Sequence, residues 1–422
     1  MVEPARGPKP VAVIQNAGVR IALCTGGSGS PWHLPASVLD GRAWIAGGER
    51  SLYELAFAFA SLGHDVELRG NISSPVFREL AAVTDHHPAV GLPSRRPGQG
   101  DVVVLLEGSR DPLEFAAAAF SPARAILLVL APLGLFGWSF EPGWRPPDPL
   151  TVDPSEVGTA RQFAAASAFG FELWTNSQAT ADIVAAAGLE CRHIGVGSPL
   201  AAPDRVPRRH DVVIVGGNRW GPLARTVVDG IDGSWVATTP GPTTHILRQL
   251  GAARLLVHPV RIEGHSRLGI EARIMGTVPL MLASNRFGAG MTRDEGAVVV
   301  PTVESMRGAV ADLLADRREL EQLSVAATAF AASFVDWDKY RDRVAAALGD
   351  EPEGTPGAAA RSAVGDRIDE FFRAYGELEA HARGLERDRE RLRRRIEDEP
   401  LPQVRAWRMP ALLRRRFRPR WR

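Results

Sequence analysis

The chain has 422 residues, enough for two or three domains of roughly 150 residues each. Hydrophobic residues make up 45% and charged residues 23%, so the composition excludes global disorder and predicts a sizeable core. The 50 basic and 49 acidic residues give a net charge of +1, which argues against bulk electrostatic attraction to nucleic acid. The 2 cysteines cannot build a disulfide framework or a cysteine-based metal cluster, and they indicate a reducing compartment.

The sequence offers no secretion signal and no membrane span. Residues 1–18 are rich in proline and glycine and lack the apolar stretch of a signal peptide, so we predict a flexible leader there. The longest apolar run, from Ile126 to Trp138, is too short to cross a bilayer and contains Pro132. We therefore expect a cytoplasmic protein.

The first half of the chain alternates between buried-strand and helix patterns. Continuous apolar runs predict parallel strands at 19–25, 65–69, 101–106, 125–130 and 173–176. A helix is predicted over 49–62, directly after the pair Gly47 and Gly48. Strands alternating with helices are typical of a doubly wound α/β domain, which we place at 19–205.

The same alternation restarts near Asp211. Strands are predicted from 211 and at 235–239, 254–258, 278–282 and 297–300, with helices at 243–250, 266–275, 303–315 and 317–334. The sequence thus predicts a second α/β domain at 206–345, and the proline-rich segment 198–207 is the candidate hinge.

The C-terminal part of the sequence changes character. Residues 346–360 have the composition of a linker, and an a/d heptad pattern over 361–399 predicts a coiled coil that forms a homodimer. The alternative is a single amphipathic helix packed on its own domain. The tail 400–422 carries 8 arginines, no acidic residue and interleaved aromatic residues. We expect it to bind an anionic membrane surface; a disordered tail and, less favoured, a nucleic-acid contact are the alternatives.

The chemistry is concentrated at the predicted helix 266–275. Glu263 precedes it in a loop, Ser266 is its expected N-cap, and Glu271 lies just over one turn inside. The backbone N–H groups near Ser266, Arg267 and Leu268 would form a helix N-terminus, which suits a phosphate. A carboxylate one turn deeper can accept the hydroxyls of a ribose, and one in the loop can reach those of a hexose.

Residues 263–279, which read EGHSRLGIEARIMGTVP, resemble the donor-binding signature of retaining GT-B glycosyltransferases, especially glycosyltransferase family 4. The GGER sequence at 47–50 resembles the N-terminal glycine loop of that family. Asn176 with Ser177 resembles the segment that closes its first domain, and FVDWD at 334–338 resembles its returning terminal helix. The resemblance covers residues 19–345.

This resemblance implies an α/β protein with the GT-B fold, in which two Rossmann-like domains face each other across a cleft. It implies a hexosyltransferase-like enzyme that moves a sugar from a nucleotide diphosphate donor on the second domain to an acceptor on the first, with anomeric configuration retained. The acceptor would be a glycan or a lipid-linked molecule in cell-surface polysaccharide or glycolipid biosynthesis. Neither a metal ion nor a further cofactor is implied.

The resemblance also assigns roles to single residues. Glu271 would hold the donor ribose and Glu263 would orient the sugar. Ser266, Arg267 and Leu268 would bind the donor, as would Gly47 and Gly48 through their backbone beside a phosphate. Arg219 and Arg225 would stabilise the departing diphosphate, for which arginine is well suited. The alternative is that both arginines are ordinary surface residues.

The sequence departs from the family pattern at two places. The mid-sheet strand and loop LVLAPLGLFGW contain no histidine, where family members often keep one at the active site. The family's EGFGL loop reads EGHSR here, which places His265 and Arg267 where an aromatic and an aliphatic residue are usual. Two rival hypotheses stay open: a non-catalytic glycosyltransferase-like scaffold that acts through its coiled coil and tail, and a nucleotide-sugar epimerase on the same fold.

Overall fold

The structure is a computed structural model, and it describes residues 18–24, 47–69, 75–90, 100–106, 123–130, 170–186, 188–204, 206–216, 220–239, 241–261, 263, 265–285 and 291–349. Arg219, the predicted coiled coil (361–399), the basic tail (400–422) and nearly all of the leader lie outside these residues.

The first domain is built on a parallel sheet. In the described part of the chain its order is β3-β2-β1-β4-β5-β6-β7. The strands are β1 Arg20–Cys24, β2 Asp65–Arg69, β3 Ala89–Val90, β4 Val102–Leu106, β5 Arg124–Val129, β6 Glu172–Thr175 and β7 Cys191–His193. β4 is buried along its whole length because helices cover both faces of a parallel sheet, which explains its continuous VVVLL run.

Helix α1 (Gly47–Ser61) lies at the centre of this domain. It is followed by α2 (Pro75–Ala81) and, after β6, by α3 (Gln178–Ala186). Every residue of α1 from Arg50 to Ala60 is buried, including Phe57 and Phe59 in the main core. The helix is therefore enclosed on every side along this stretch. One side of α1 packs on the sheet, and its amino-terminal turn meets the second domain.

The second domain is also built on a parallel sheet, with the order β12-β11-β10-β8-β9 among its described strands. These are β8 His210–Ile214, β9 Trp235–Ala237, β10 Ala253–His258, β11 Val278–Leu282 and β12 Val298–Val300. Its helices are α4 Gly221–Val228, α5 Thr243–Gly251, α6 Arg267–Ile274, α7 Val303–Ala315 and α8 Arg317–Phe334. Because α6 follows β10, its amino end lies at the carboxyl edge of this sheet, where α/β folds bind ligands.

The last described helix, α9 (Trp337–Gly349), returns to the first domain. Tyr340 and Val344 belong to the core around α1, and a Cβ atom at Gly197 would overlap the Tyr340 side chain. Arg124 and Arg192 donate to the Ala347 carbonyl at 3.1 and 2.6 Å, which satisfies a carbonyl that a helix end leaves open. The predicted domain boundary at 345 and the first residues of the predicted linker 346–360 therefore lie inside this helix.

The alternation of strands and helices is confirmed in both domains, and the bounds predicted for 65–69, 278–282, 303–315 and 317–334 match the structure. The sequence analysis did not give bounds for the short elements α2, α4, β3 and β7, because strands of two or three residues and helices of 7 or 8 residues are too short for a distinctive periodic pattern. None of the helices in the described part of the chain combines the length and apolar character of a membrane span.

Candidate functional site

The amino end of α6 forms as the sequence predicted. Ser266 is the N-cap, and its Oγ accepts a hydrogen bond from the Gly269 N–H at 3.0 Å. This bond satisfies one of the donors that a helix start leaves open. Glu271 follows just over one turn inside the helix and is only 6% exposed. Glu263 precedes the cap, so both carboxylates lie beside the same helix end.

In the described part of the chain, Glu263 contacts uncharged groups of its own domain. Its backbone N–H donates to Asn285 Oδ1 at 3.1 Å, and its Oε2 lies 3.5 Å from Nε2 of His258. The side chain is 34% exposed, yet Oε2 itself is enclosed. Burial raises the pKa of Glu263 to about 7, and a hydrogen bond from Ser266 opposes that rise. This carboxyl group can therefore exist in both protonation states near neutral pH.

His258 contacts Ser266 at the start of α6. It is the last residue of β10, is 2% exposed and places Nε2 at 2.9 Å from Ser266 Oγ. Burial lowers the pKa of His258 to about 4, so the ring is neutral at physiological pH. Ser266 Oγ already accepts from Gly269 and donates to Glu263. Nε2 of His258 therefore links the end of β10 to the Ser266 hydroxyl and lies 3.5 Å from Oε2 of Glu263.

Glu271 is bound by a charged group from the other domain. Its Oε1 accepts a hydrogen bond from Arg50 of α1. Nε of Arg50 also donates to Glu54 at 3.2 Å, and the second oxygen of Glu54 contacts Arg267 of α6. We call Arg50, Glu54, Arg267 and Glu271 the interdomain cluster. Two guanidinium groups and two carboxylates neutralise one another, and the side chains are no more than 12% exposed.

Burial shifts the pKa values of the interdomain cluster. It raises the pKa of Glu271, while the charges of Arg50 and Arg267 oppose this rise. Burial lowers the pKa of Arg50, but Glu271 and Glu54 outweigh it, so the net pKa is raised. Arg50 thus remains fully charged, and it is the positive group that makes an ionised Glu271 tolerable inside the protein.

Two further contacts join the domains near this site. Glu79 of α2 accepts from the backbone N–H groups of Thr243 and Thr244 at 2.8 and 3.0 Å, and so caps the amino end of α5. His265 bonds to the backbone of Asn176 in the first domain. Burial, which outweighs this bond, lowers the pKa of His265 to about 3. The edge of the second sheet is therefore held against the first domain at several points around α6.

The predicted donor-binding residues occupy different positions in the structure. Gly47 and Gly48 open α1, one turn from Arg50, so the predicted glycine loop and the α6 helix start belong to one region. Arg267 donates to Ser51 Oγ at 3.0 Å and contacts Glu54, so its side chain serves the domain contact. Leu268 is half-buried and packs against the second-domain core.

The structure describes one of the two predicted diphosphate cations. Arg225 lies in the last turn of α4 and is exposed. Arg219 lies outside the described residues. Sequence reasoning missed Glu54 and Asn285, because no motif links them to the site. Arg50 was visible in the GGER sequence but received no role.

Comparisons with known proteins support the fold. No protein-family model matches the chain, and no curated protein matches its sequence at a significant level. HepE of Anabaena, solved in complex with UDP-glucose, is similar with a TM-score of 0.54 at 13% identity, over 78% of this chain and 99% of HepE. The sucrose-phosphate synthase of Thermosynechococcus elongatus is similar with a TM-score of 0.52 at 13% identity, over 78% and 98% of the two chains.

These similarities confirm the predicted architecture: the chain has the two-domain GT-B fold. At this level of identity a structural match shows the fold alone, because one fold hosts many functions. The family 4 resemblance, the retaining mechanism and the roles of single residues therefore stay predictions.

Proposed function

We propose that the protein is a glycosyltransferase that uses a nucleotide diphosphate sugar as donor. The observation that carries the proposal is the start of α6, where Glu263 and Glu271 lie on either side of a capped helix end that faces the glycine-led start of α1. The fold supports it, because HepE, which shares it, was solved with UDP-glucose.

The donor would lie along the α6 helix start. Glu271 would accept the ribose hydroxyls, and Glu263 would face the sugar. The diphosphate would lie at the free N–H groups near Ser266, Arg267 and Leu268, with the backbone of Gly47 and Gly48 on its other side. A helix start offers both donors and a partial positive charge to such an anion.

The chemical step needs charge at the leaving group. As the bond between sugar and diphosphate breaks, negative charge grows on the diphosphate, and Arg219 and Arg225 would stabilise it. A new bond forms between the anomeric carbon and an acceptor hydroxyl, whose proton passes to the departing diphosphate, and the anomeric configuration is retained. Glu263, whose pKa is about 7, can accept from or donate to a sugar hydroxyl and so orient the sugar. We propose no metal ion and no further cofactor.

The acceptor would be a glycan or lipid-linked molecule, used in cell-surface polysaccharide or glycolipid synthesis. We propose that residues 361–399 join two chains and that the tail 400–422 holds the protein on the cytoplasmic membrane surface. Two linked tails bind more tightly than one, because the second meets the surface at high effective concentration. A chain that ends at residue 360 should be monomeric by light scattering and should not bind anionic vesicles; a dimer, or retained vesicle binding, contradicts this part.

The donor test is a binding screen with UDP, ADP and GDP, followed by their sugar conjugates. We expect one of these nucleotides to raise the melting temperature of the protein. A sugar conjugate of that nucleotide should be consumed when an acceptor is present. Failure of all three nucleotides to bind would favour a non-catalytic scaffold. Conversion of the nucleotide sugar to an epimer without an acceptor would instead show an epimerase.

A further inference from the structure

Arg50 contacts the carboxylate that the proposed donor must use. Its guanidinium, from the first domain, occupies Oε1 of Glu271 in the second. A ribose diol that binds a carboxylate through both hydroxyls would use that oxygen too, and because both side chains are buried, the ribose and the guanidinium compete for the space beside it. Arg50 and Glu271 are 7% and 6% exposed, so water cannot readily replace either partner. Separating them without a substitute would leave charge buried, which costs a protein several kcal/mol.

Arg50 also lies where a new negative partner would arrive. It is the fourth residue of α1, which begins at Gly47. In the function proposed above, the donor diphosphate lies between the amino ends of α1 and α6. A long guanidinium side chain in the first turn of α1 can turn from Glu271 to such a group, and its forked donors suit phosphate oxygens.

The other members of the interdomain cluster can tolerate this change. The two oxygens of Glu54 contact different guanidinium groups, one from Arg50 and one from Arg267. If Arg50 turns away, Arg267 still neutralises Glu54. The charge of Arg267 also acts on Glu271, whose oxygens would receive the ribose hydroxyls instead. Arg267 then faces both carboxylates, and the ribose hydroxyls replace the hydrogen bond that Arg50 gave to Glu271.

We propose that Arg50 is a donor-binding residue that exchanges partners: it holds Glu271 when the site is empty and binds the donor diphosphate when the ribose takes Glu271. The inference rests on the proposed function and adds a cation from the first domain to Arg219 and Arg225 of the second. Donor binding would then replace the contact between Arg50 and Glu271, which joins the two domains.

The exchange predicts a particular pattern of affinities. A nucleoside must break the contact between Arg50 and Glu271 and offers Arg50 no anion in return. A nucleoside diphosphate breaks the same contact and replaces it with a phosphate. Removing Arg50 should therefore change the ratio of the two affinities, whereas a uniform loss of binding would leave that ratio unchanged.

The test is a calorimetric titration of the protein with uridine diphosphate and uridine, or with the adenosine or guanosine pair if that base binds in the screen. In Arg50→Ala the diphosphate should bind at least about tenfold more weakly relative to its nucleoside, because a charge-assisted bond is lost. The nucleoside itself should bind more tightly than in the wild type. Arg78→Ala, at an exposed arginine of α2, is the matched control and should keep the wild-type ratio.

A second variant covers the case in which Arg50→Ala does not fold. Arg50→Lys keeps the charge but lacks the fork, so the ratio should fall by about threefold. An unchanged ratio in folded Arg50 variants, with Glu271→Gln still weakening the diphosphate, would overturn the exchange and leave the proposed function standing. Failure of the wild-type protein to bind any of the nucleotides would overturn both.

Discussion

Glu263 and Glu271 stand on either side of the same helix start, but their carboxylates have different partners. Glu263 is held within its own domain by Ser266 and lies beside a neutral His258, and its pKa rises to about 7. Glu271 is held by a guanidinium of the other domain. Burial raises the pKa of both carboxyl groups, but at Glu271 two guanidinium groups oppose the rise, whereas at Glu263 a hydroxyl does.

Because of this difference, Glu263 and Glu271 can perform different tasks although they lie at the start of the same helix. A carboxyl group with a pKa near neutrality can exchange hydrogen bonds with sugar hydroxyls in either direction. In the exchange proposed above, the pairing of Glu271 with Arg50 would couple donor binding to the contact between the domains. The two residues belong to one sequence motif, but their electrostatic surroundings differ.

The largest effect should follow from removing the charge at the centre of the interdomain cluster. Glu54 is 1% exposed and is the carboxylate that both Arg50 and Arg267 contact. Glu54→Gln should lower the free energy of unfolding by about 3–5 kcal/mol, as loss of one partner of a buried pair does. Denaturant unfolding at pH 7 measures it. Glu321→Gln, at an exposed carboxylate of α8, is the control, and an equally small loss in both variants would show that the cluster contributes little.

A smaller effect should come from His265, which lies between Glu263 and Glu271 in the sequence. Its folded pKa, about 3, is below the unfolded value of 6.5, so only the unfolded chain takes up a proton between these pH values. Stability due to this residue is present above pH 6.5 and is lost as the pH falls. Between pH 6.5 and 5 the loss should reach about 2 kcal/mol.

His265→Phe keeps an aromatic ring against Phe334, which the histidine contacts edge-on with centroids 5.1 Å apart. The variant should therefore lose less stability than the wild type on going from pH 6.5 to 5. Parallel unfolding curves at the two pH values provide the comparison. Identical losses in both proteins would mean that His265 is protonated in the folded state.

The smallest effect concerns Glu263, whose folded pKa lies above its unfolded value. Ionising it therefore costs stability, and this cost grows as the pH rises from 4.5 to about 7. Glu263→Gln removes the cost, so its melting temperature relative to the wild type should rise between pH 5 and pH 8, by a few degrees at most because the side chain is partly exposed. A relative melting temperature that falls over this range would show that Glu263 is stabilised as a carboxylate.

The sequence predicts most of the fold and part of the site. Repeating apolar runs and helix periodicity are local, so the strands and the long helices could be read directly, as could the N-cap at Ser266. The charged groups around Glu271 could not, because Arg50 and Glu54 are more than 200 residues away in the chain and meet it only when the domains pack. Asn285 lies in the same domain as Glu263, but it binds the Glu263 backbone from the loop after β11 without any motif.

The measurement that tests the account most directly is the binding of UDP to the wild type, Glu271→Gln and Glu263→Gln, together with turnover of the UDP sugar. ADP or GDP replaces UDP if the screen selects that base. We predict that Glu271→Gln weakens nucleotide affinity at least about tenfold, because a charge-assisted contact to the ribose is lost. Glu263→Gln should leave nucleotide affinity unchanged and lower kcat. Nucleotide affinity at the wild-type level in both variants, with turnover intact, would contradict the account.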